Sequence, residues 1–302
     1  QPGGVCLHRG CIPSKALLHI ARFLAEAAEL RACGVQTSPP QVDLDRLREW
    51  KASVVRRLTG GLGQLRRARG VEAVRGRDRF TSPDTLTVET AEGVRTLEWD
   101  AALVATGSRP ATLPGWPESP RIMDSTGALE LPDVPQRLLV VGGGYIGLEL
   151  GTVYAALGSR VCVVEATSGL LPGADRDLVA PLAKRLSERF EAIWLDTRVA
   201  DARDLGTAIS VTLQTPAGTR EESFDRVLIS VGRRPNSEGL GLKEAGIATD
   251  RRGCIEVDER RRTSHPRVWA AGDVAGDPML AHKATAEARV AVDAIAGRKT
   301  VW

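Results

Sequence analysis

Apolar positions in ALLHIARFLAEAAELRA, Ala16 to Ala32, recur at helical spacing, and Pro13 suits the first turn of that helix, so Cys11 is expected at or just before a helix N-terminus. A second helical pattern runs from about Leu44 to Ala68. Short alternating stretches follow, among them TLTVETAEG and RTLEWDAALVATGS, and predict strands. The Pro-rich RPATLPGWPESP predicts an irregular connection. RLLVVGGGYIGLELGTVYAALGSRVCVVEA then reads as apolar strand, glycine turn, helix and second apolar strand. Further strands end in FDRVLISVGRRPN, and after RVWAAGDVAG the stretch ATAEARVAVDAIAG is again helical in pattern. The order is that of an α/β chain, with no fixed-period repeat and no low-complexity tract.

Composition narrows the class. A chain of 302 residues with 42% hydrophobic content can bury real cores and suggests about two domains. The net charge of +3 comes from interspersed charges, so nucleic acid is not implied, and Arg260 to Arg262 after Glu259 read as a solvated face. No apolar run approaches the ~20 residues of a membrane helix, and no leader-like stretch is evident; a soluble cytoplasmic protein is the expectation. Five cysteines, an odd count, argue against a secreted disulfide framework, and Cys33, Cys162 and Cys254 read as isolated small apolar residues.

The strongest local signal is Gly142-Gly143-Gly144-Tyr145-Ile146-Gly147, a G-x-G-x-x-G spacing that follows a strand and opens a helix. The missing side chains permit a tight turn, let backbone approach a pyrophosphate and allow helix to pack closely on strand. An acid about 20 residues on would bond a ribose 2'-hydroxyl, and Glu165 ends the second strand there. Ala166, Thr167 and Ser168 follow, with no Arg for a 2'-phosphate, which favours NAD over NADP. The competing reading is a glycine turn of structural use alone.

Cys6 and Cys11 can meet only if the chain turns tightly between them, for which Gly10 offers local freedom. So short a loop gains little stability from closure, and a bridge there is more useful as reversible chemistry. A helix N-terminus near Cys11 and the cation of Lys15, at i+4, both favour a thiolate. Metal binding and two buried structural thiols are the competing readings; no second Cys or His pair with ligand spacing follows.

With ALLH, LTGGLGQL, ATGSRP, DSTGALEL, SVGRRPN, WAAGDVAG and PMLAHKA added, nearly the whole chain resembles the flavin-dependent pyridine nucleotide-disulfide oxidoreductase family, and CIPSK with PMLAHK is similar to its lipoamide branch. The resemblance implies two Rossmann-like dinucleotide-binding domains with parallel sheets, the FAD domain incomplete (1–132 and 254–302) and the NAD domain (133–253) inserted. It implies an oxidoreductase that oxidises dihydrolipoamide through a redox-active disulfide and FAD and reduces NAD. Cys6 would exchange with dihydrolipoamide and Cys11 would face the flavin. Lys15 would lie beside the flavin and pair with Glu149. Gly76, Thr106, Gly107, Ser108, Asp273 and Ala281 would contact FAD, and Val199 and Gly232 would offer backbone to NAD. Taken singly, Glu149 reads as an acid at a helix N-terminus, Gly107 and Asp273 as turn residues, and Val199 and Gly232 as packing or turn. Implied partners are lipoyl domains of 2-oxo acid dehydrogenase complexes, with the parent a homodimer.

Departures from the family pattern qualify this. A first glycine fingerprint for the ADP half of FAD would lie well upstream of Cys6, and a C-terminal dimerisation domain with a catalytic His-Pro and Glu would follow Trp302, so a fragment truncated at both ends is the expectation. His265-Pro266 precedes RVWAAGD and is assigned no catalysis, and His282 is expected to be structural, near the flavin. His8-Arg9 replaces the Asn and small apolar residue common between the cysteines, which alters thiolate pKa or lipoamide access in an open direction. The alternatives are another flavin disulfide or metal-ion reductase of the family, or a non-catalytic NAD-binding remnant.

Overall fold

The computed structural model describes residues 2–30, 33–36, 38 and 40–302; Arg31 and Ala32, at the expected end of the first helix, lie outside the described residues. Helices α1 (Gly4–Arg9), α2 (Cys11–Leu30) and α3 (Leu44–Ala68) come first, followed by strands β1 (Arg77–Ser82), β2 (Thr85–Thr90), β3 (Gly93–Glu98), β4 (Ala102–Val104) and β5 (Ser108–Pro110). Next are β6 (Ile122–Met123), α4 (Ser125–Leu129), β7 (Arg137–Val141), α5 (Tyr145–Leu157), β8 (Arg160–Val164), α6 (Arg176–Ser187) and β9 (Ala192–Trp194). Strands β10 (Arg198–Asp204), β11 (Ile209–Thr215), β12 (Gly218–Phe224), β13 (Arg226–Ile229), β14 (Arg233–Pro235) and β15 (Val268–Ala270) lead to α7 (Ala281–Ile295).

These elements fall into two compact units, one of Val5–Gly60 and Pro110–Gly232, the other of Gln1–Gly4, Gly61–Arg109 and Arg233–Trp302. The first unit is built on a parallel sheet of order β6-β13-β7-β8-β9. Its central strands are apolar runs because both faces are covered. Leu138, Val140, Val161, Val163 and Leu228 face a helical layer that includes Leu17 of α2, Tyr154 of α5 and Leu186 of α6. The alternate positions, Leu139, Val141, Cys162, Val164, Val227 and Ile229, face Ile209, Val211, Leu213 and Phe224 of the antiparallel sheet β10-β11-β12. One cover is thus a second sheet, where a doubly wound fold places another helix layer. Because α2 packs along α5, the cysteine-bearing segment belongs to this unit.

The second unit joins the antiparallel sheet β1-β2-β3 to the parallel pair β4 and β15 and the pair β5 and β14. Phe80, Val104, Leu242, Ile255, Val268 and Val274 form its core. Among the described residues its parallel component is the pair β4 and β15. Arg261, expected on a solvated face with Arg260 and Arg262, is instead packed: its backbone turns at φ 61, and its guanidinium lies 2.7 Å from Glu287 and over the ring of Trp302. Cys162 and Cys254 are buried, whereas Cys33 is exposed. No helix among the described residues is long and apolar enough to cross a membrane.

Candidate functional site

Cys6 lies in α1 and Cys11 opens α2, and the two form a disulfide with Cα atoms 4.6 Å apart. Gly10 permits this by its size: a Cβ there would stand 3.1 Å from the Val5 carbonyl oxygen and 3.3 Å from Cys6 Cα. The torsional freedom expected of Gly10 is not used, since its φ is not positive. One turn into α2, Ser14 Oγ donates to Glu149 Oε2 at 2.7 Å and Lys15 Nζ donates to Glu149 Oε1 at 2.6 Å. Both reach Glu149 because α5 presents it to α2. Ser14 is buried, so its charge-assisted bond outweighs that of Lys15, whose side chain is 62% exposed and screened by water. Spacing does not single out Ser14; its partner 135 positions away does. Glu149 also lines a cavity of about 360 Å³ with Leu18, Tyr145, Leu148 and Thr152. Cys162, elsewhere in this unit, has its thiol pushed up to about 12, chiefly by burial and then by Glu191, whose carboxylate is 3.5 Å away. Its thiol is therefore inert at ordinary pH.

After β7 the chain turns at Gly142 with φ 106, where a Cβ would meet the Ser230 carbonyl oxygen at 2.5 Å. At Gly147 a Cβ would strike the Ser230 hydroxyl and lie 2.5 Å from Gly142 O and 2.8 Å from Val140 Cγ1, and at Gly143 it would lie 2.7 Å from Leu170 Cδ2. Gly144, which precedes α5, has nothing within 4 Å of its Cβ position, and Tyr145 is exposed while Ile146 packs on the helical core. Gly144 and the α5 N-terminus are thus the open side of the turn. Glu165 is buried at the end of β8, with Oε2 accepting from Gly143 N at 2.7 Å and Oε1 accepting from Thr167 N and Oγ1 at 2.8 Å each. Three bonds on two oxygens leave acceptor capacity for a further hydroxyl. Arg176 donates to the carbonyls of Leu170, Leu171 and Ala174, and Leu171 N donates to Gly143 O at 2.9 Å, which ties the following loop to the turn. Val199, on β10, packs partly buried against the apolar cluster between the two sheets, and the Gly232 carbonyl accepts from Ala111 N at 3.0 Å.

In the second unit, Arg233 Nε donates to Ser108 Oγ at 2.7 Å, and Ser108 Oγ donates to Asp273 Oδ2. Thr106 Oγ1 donates to Asn236 O at 2.7 Å, Asn236 Nδ2 to Thr106 O at 3.0 Å, and Asn236 N to Gly107 O at 2.9 Å. Thr106, Gly107, Ser108 and Asp273 are thereby brought together, with Arg233 and Asn236 as members that motif spacing does not reveal. Ala281, the first residue of α7, and His282 are exposed. Gly76 lies beside β2, where a Cβ would strike the Glu89 carbonyl and lie 2.6 Å from Val88 Cγ1, so strand packing requires a glycine there. His265 is buried, its Nδ1 accepting from Arg267 N at 3.2 Å and its ring 5.7 Å from Trp99, a packing role.

The pattern of the pyridine nucleotide-disulphide oxidoreductase family matches residues 2–288. A dihydrolipoyl dehydrogenase of Vibrio cholerae is 46% identical over 300 residues, covering 98% of this chain and 63% of that protein. One from Geobacillus stearothermophilus is 42% identical over 295 residues, with the same coverage of 98% and 63%. Among solved structures, LpdA from Mycobacterium tuberculosis aligns with a TM-score of 0.89 at 27% identity, covering 99% of this chain and 65% of that one. A Cu(II) complex of the HOCl-induced flavoprotein disulfide reductase RclA from Escherichia coli aligns with a TM-score of 0.84 at 29% identity, covering 96% and 62%. The chain therefore spans about 63% of the length of the curated relatives it matches.

Proposed function

Since the chain belongs to the pyridine nucleotide-disulphide oxidoreductase family, we propose that it carries the disulfide and the NAD-binding part of a dihydrolipoyl dehydrogenase, acting with FAD and NAD on dihydrolipoamide. The observation that carries this reading is the Cys6–Cys11 bridge at the start of α2, followed by two side chains that share Glu149 on the helix opened by the glycine turn. The substrate would arrive on lipoyl domains of 2-oxo acid dehydrogenase complexes, and the parent protein would act as a cytoplasmic homodimer. Residues 1–132 and 254–302 would serve FAD, and 133–253 NAD.

The residues present fit NAD and the ribityl side of FAD. Toward NAD, the open side at Gly144 leaves room for a pyrophosphate, and Glu165 keeps acceptor capacity for a ribose hydroxyl. Arg176 is engaged by loop carbonyls and not offered to a 2'-phosphate, which supports NAD over NADP. Backbone of Val199 and Gly232 would complete the NAD contacts. Toward FAD, Asp273 has one oxygen bonded by Ser108, leaving the other for a hydroxyl of the ribityl chain; Thr106, Gly107, Ala281 and, by resemblance alone, Gly76 would add contacts. FAD, when bound, supplies a two-electron relay between the disulfide and the nicotinamide.

The chain's own part begins with a thiolate of the dihydrolipoyl group attacking Cys6 Sγ. The Cys6–Cys11 bond breaks, and its electron pair leaves on Cys11, at the N-terminus of α2 where a thiolate is favoured. The second substrate thiolate attacks the substrate sulfur bound to Cys6; the lipoyl disulfide closes and Cys6 departs as a thiolate. Two electrons have then passed from the substrate dithiol to the cysteine pair, and the two substrate thiol protons are released. Ser14 and Lys15, both held by Glu149, keep the first turn of α2 in place while the bridge opens.

The test is NAD reduction by dihydrolipoamide in FAD-supplemented protein, with Cys6→Ser and Cys11→Ser compared. Each substitution should abolish turnover and leave NADH binding unchanged; turnover retained by Cys11→Ser would defeat the reading. A disulfide reductase with another substrate is the second reading, supported by the likeness to RclA and by His8 and Arg9 between the cysteines. Faster reduction of an anionic disulfide than of lipoamide would favour it, and NADH binding without any turnover would favour a non-catalytic chain.

A further inference from the structure

We propose that Glu287, clamped by Arg261 and Lys283, is a positioning residue for Asp273, setting the backbone from which that carboxylate meets the flavin. Glu287 on α7 is fully buried. One carboxylate oxygen accepts from Arg261 at 2.7 Å, and the other accepts from Gly272 N at 2.8 Å and Lys283 Nζ at 3.0 Å. Lys283 in turn donates to the carbonyl of Gly276 at 2.9 Å and approaches that of Gly272 at 3.4 Å. The two side chains therefore grip both ends of the short turn Asp273–Ala275. Gly272 holds φ 82 and ψ −155, a conformation open essentially to glycine.

A buried ion cluster is weak evidence for stability, because apolar residues of the same volume do as well or better; its recognised use is to specify one conformation. Here the conformation specified is the Gly272–Gly276 turn. Ser108 and Arg233 fix the Asp273 side chain from one direction, and Glu287 and Lys283 fix its backbone from the other. The inference rests on the reading of Asp273 as a flavin contact.

The experiment measures FAD binding by fluorescence quenching in the full chain for Asp273→Asn, Glu287→Gln and the double variant, with hydrogen exchange of the 270–276 segment followed in the absence of FAD. Each single substitution should weaken FAD binding about tenfold. The double variant should be no weaker than either single one by more than about twofold, since both act through one contact. Exchange at 272–276 should quicken in Glu287→Gln while NADH affinity, a property of the other unit, stays unchanged. Additive losses, or unchanged FAD affinity in Glu287→Gln beside a weakened Asp273→Asn, would overturn the inference alone. Unchanged affinity in Asp273→Asn, or no FAD uptake by the parent chain, would overturn the flavin reading and the inference with it. Should Glu287→Gln fail to fold, Lys283→Met, which keeps the Arg261 pair, carries the same comparison.

Discussion

Two alanine substitutions, Gly147→Ala and Gly144→Ala, separate what the glycine turn does for the fold from what it offers a ligand. At Gly147 the new methyl would lie 2.5 Å from the Gly142 carbonyl oxygen and 2.8 Å from Val140 Cγ1, so α5 has to move off β7. Overpacking of this kind costs roughly 3 kcal/mol, because a neighbour is backbone and cannot yield. Replacing glycine inside a helix returns about 1 kcal/mol. The net loss of about 2 kcal/mol lowers Tm by roughly 4–8 °C for a unit of this size. At Gly144 nothing lies within 4 Å, and only the weaker capping preference of Ala applies, about 0.5–1 kcal/mol. That methyl instead enters the open side of the turn, where a pyrophosphate would approach, and should weaken NADH binding about tenfold or more. Differential scanning fluorimetry and NADH titration read both effects. A Gly147→Ala protein that melts with the parent would refute the packing argument; a Gly144→Ala protein that keeps its NADH affinity would refute the ligand-facing assignment.

Further expectations concern single groups. Burial raises the Cys162 thiol from the ordinary value near 9 to about 12, so it favours the folded state below pH 9 and that contribution is lost as pH rises from 9 to 12. Urea midpoints across that range should fall less steeply in Cys162→Ala, and parallel curves would refute the assignment. Ser14→Ala strips the buried donor from Glu149 and should cost about 1.5–3 kcal/mol, against less than about 1 kcal/mol for Lys15→Met; equal shifts in urea midpoint would count against burial as the deciding factor. Arg176→Ala frees the carbonyls of Leu170, Leu171 and Ala174 and should expose the 169–175 loop to limited proteolysis, with NADH binding weakened; an uncut loop would show that Leu171 N to Gly143 O suffices to hold it.

What was legible in the sequence is what local geometry dictates. The strand, glycine turn, helix and strand from Arg137 to Val164 stand where the pattern puts them, and α3 spans Leu44–Ala68 as its periodicity predicts. Each follows from neighbours within a few residues. Ser14, Arg233 and Glu287 were not legible, because what defines them is a partner: Glu149 135 positions from Ser14, Ser108 125 from Arg233, Gly272 15 from Glu287. Arg261 misleads for a related reason, since a charge beside two other arginines reads as solvated until a positive φ turns it inward. The antiparallel cover of the parallel sheet was hidden too, because alternation in ISVTLQT marks a strand and not the surface it will pack against.

Glu165 bears on how fast a ligand can enter. Its carboxylate is already locked to Gly143 and Thr167, so the acceptor that a ribose would use is in place before any encounter. Association then has no ordering step to wait for: in stopped-flow traces the observed rate should climb in proportion to NADH concentration without reaching a ceiling, and differences in affinity between dinucleotides should appear in how quickly each one leaves.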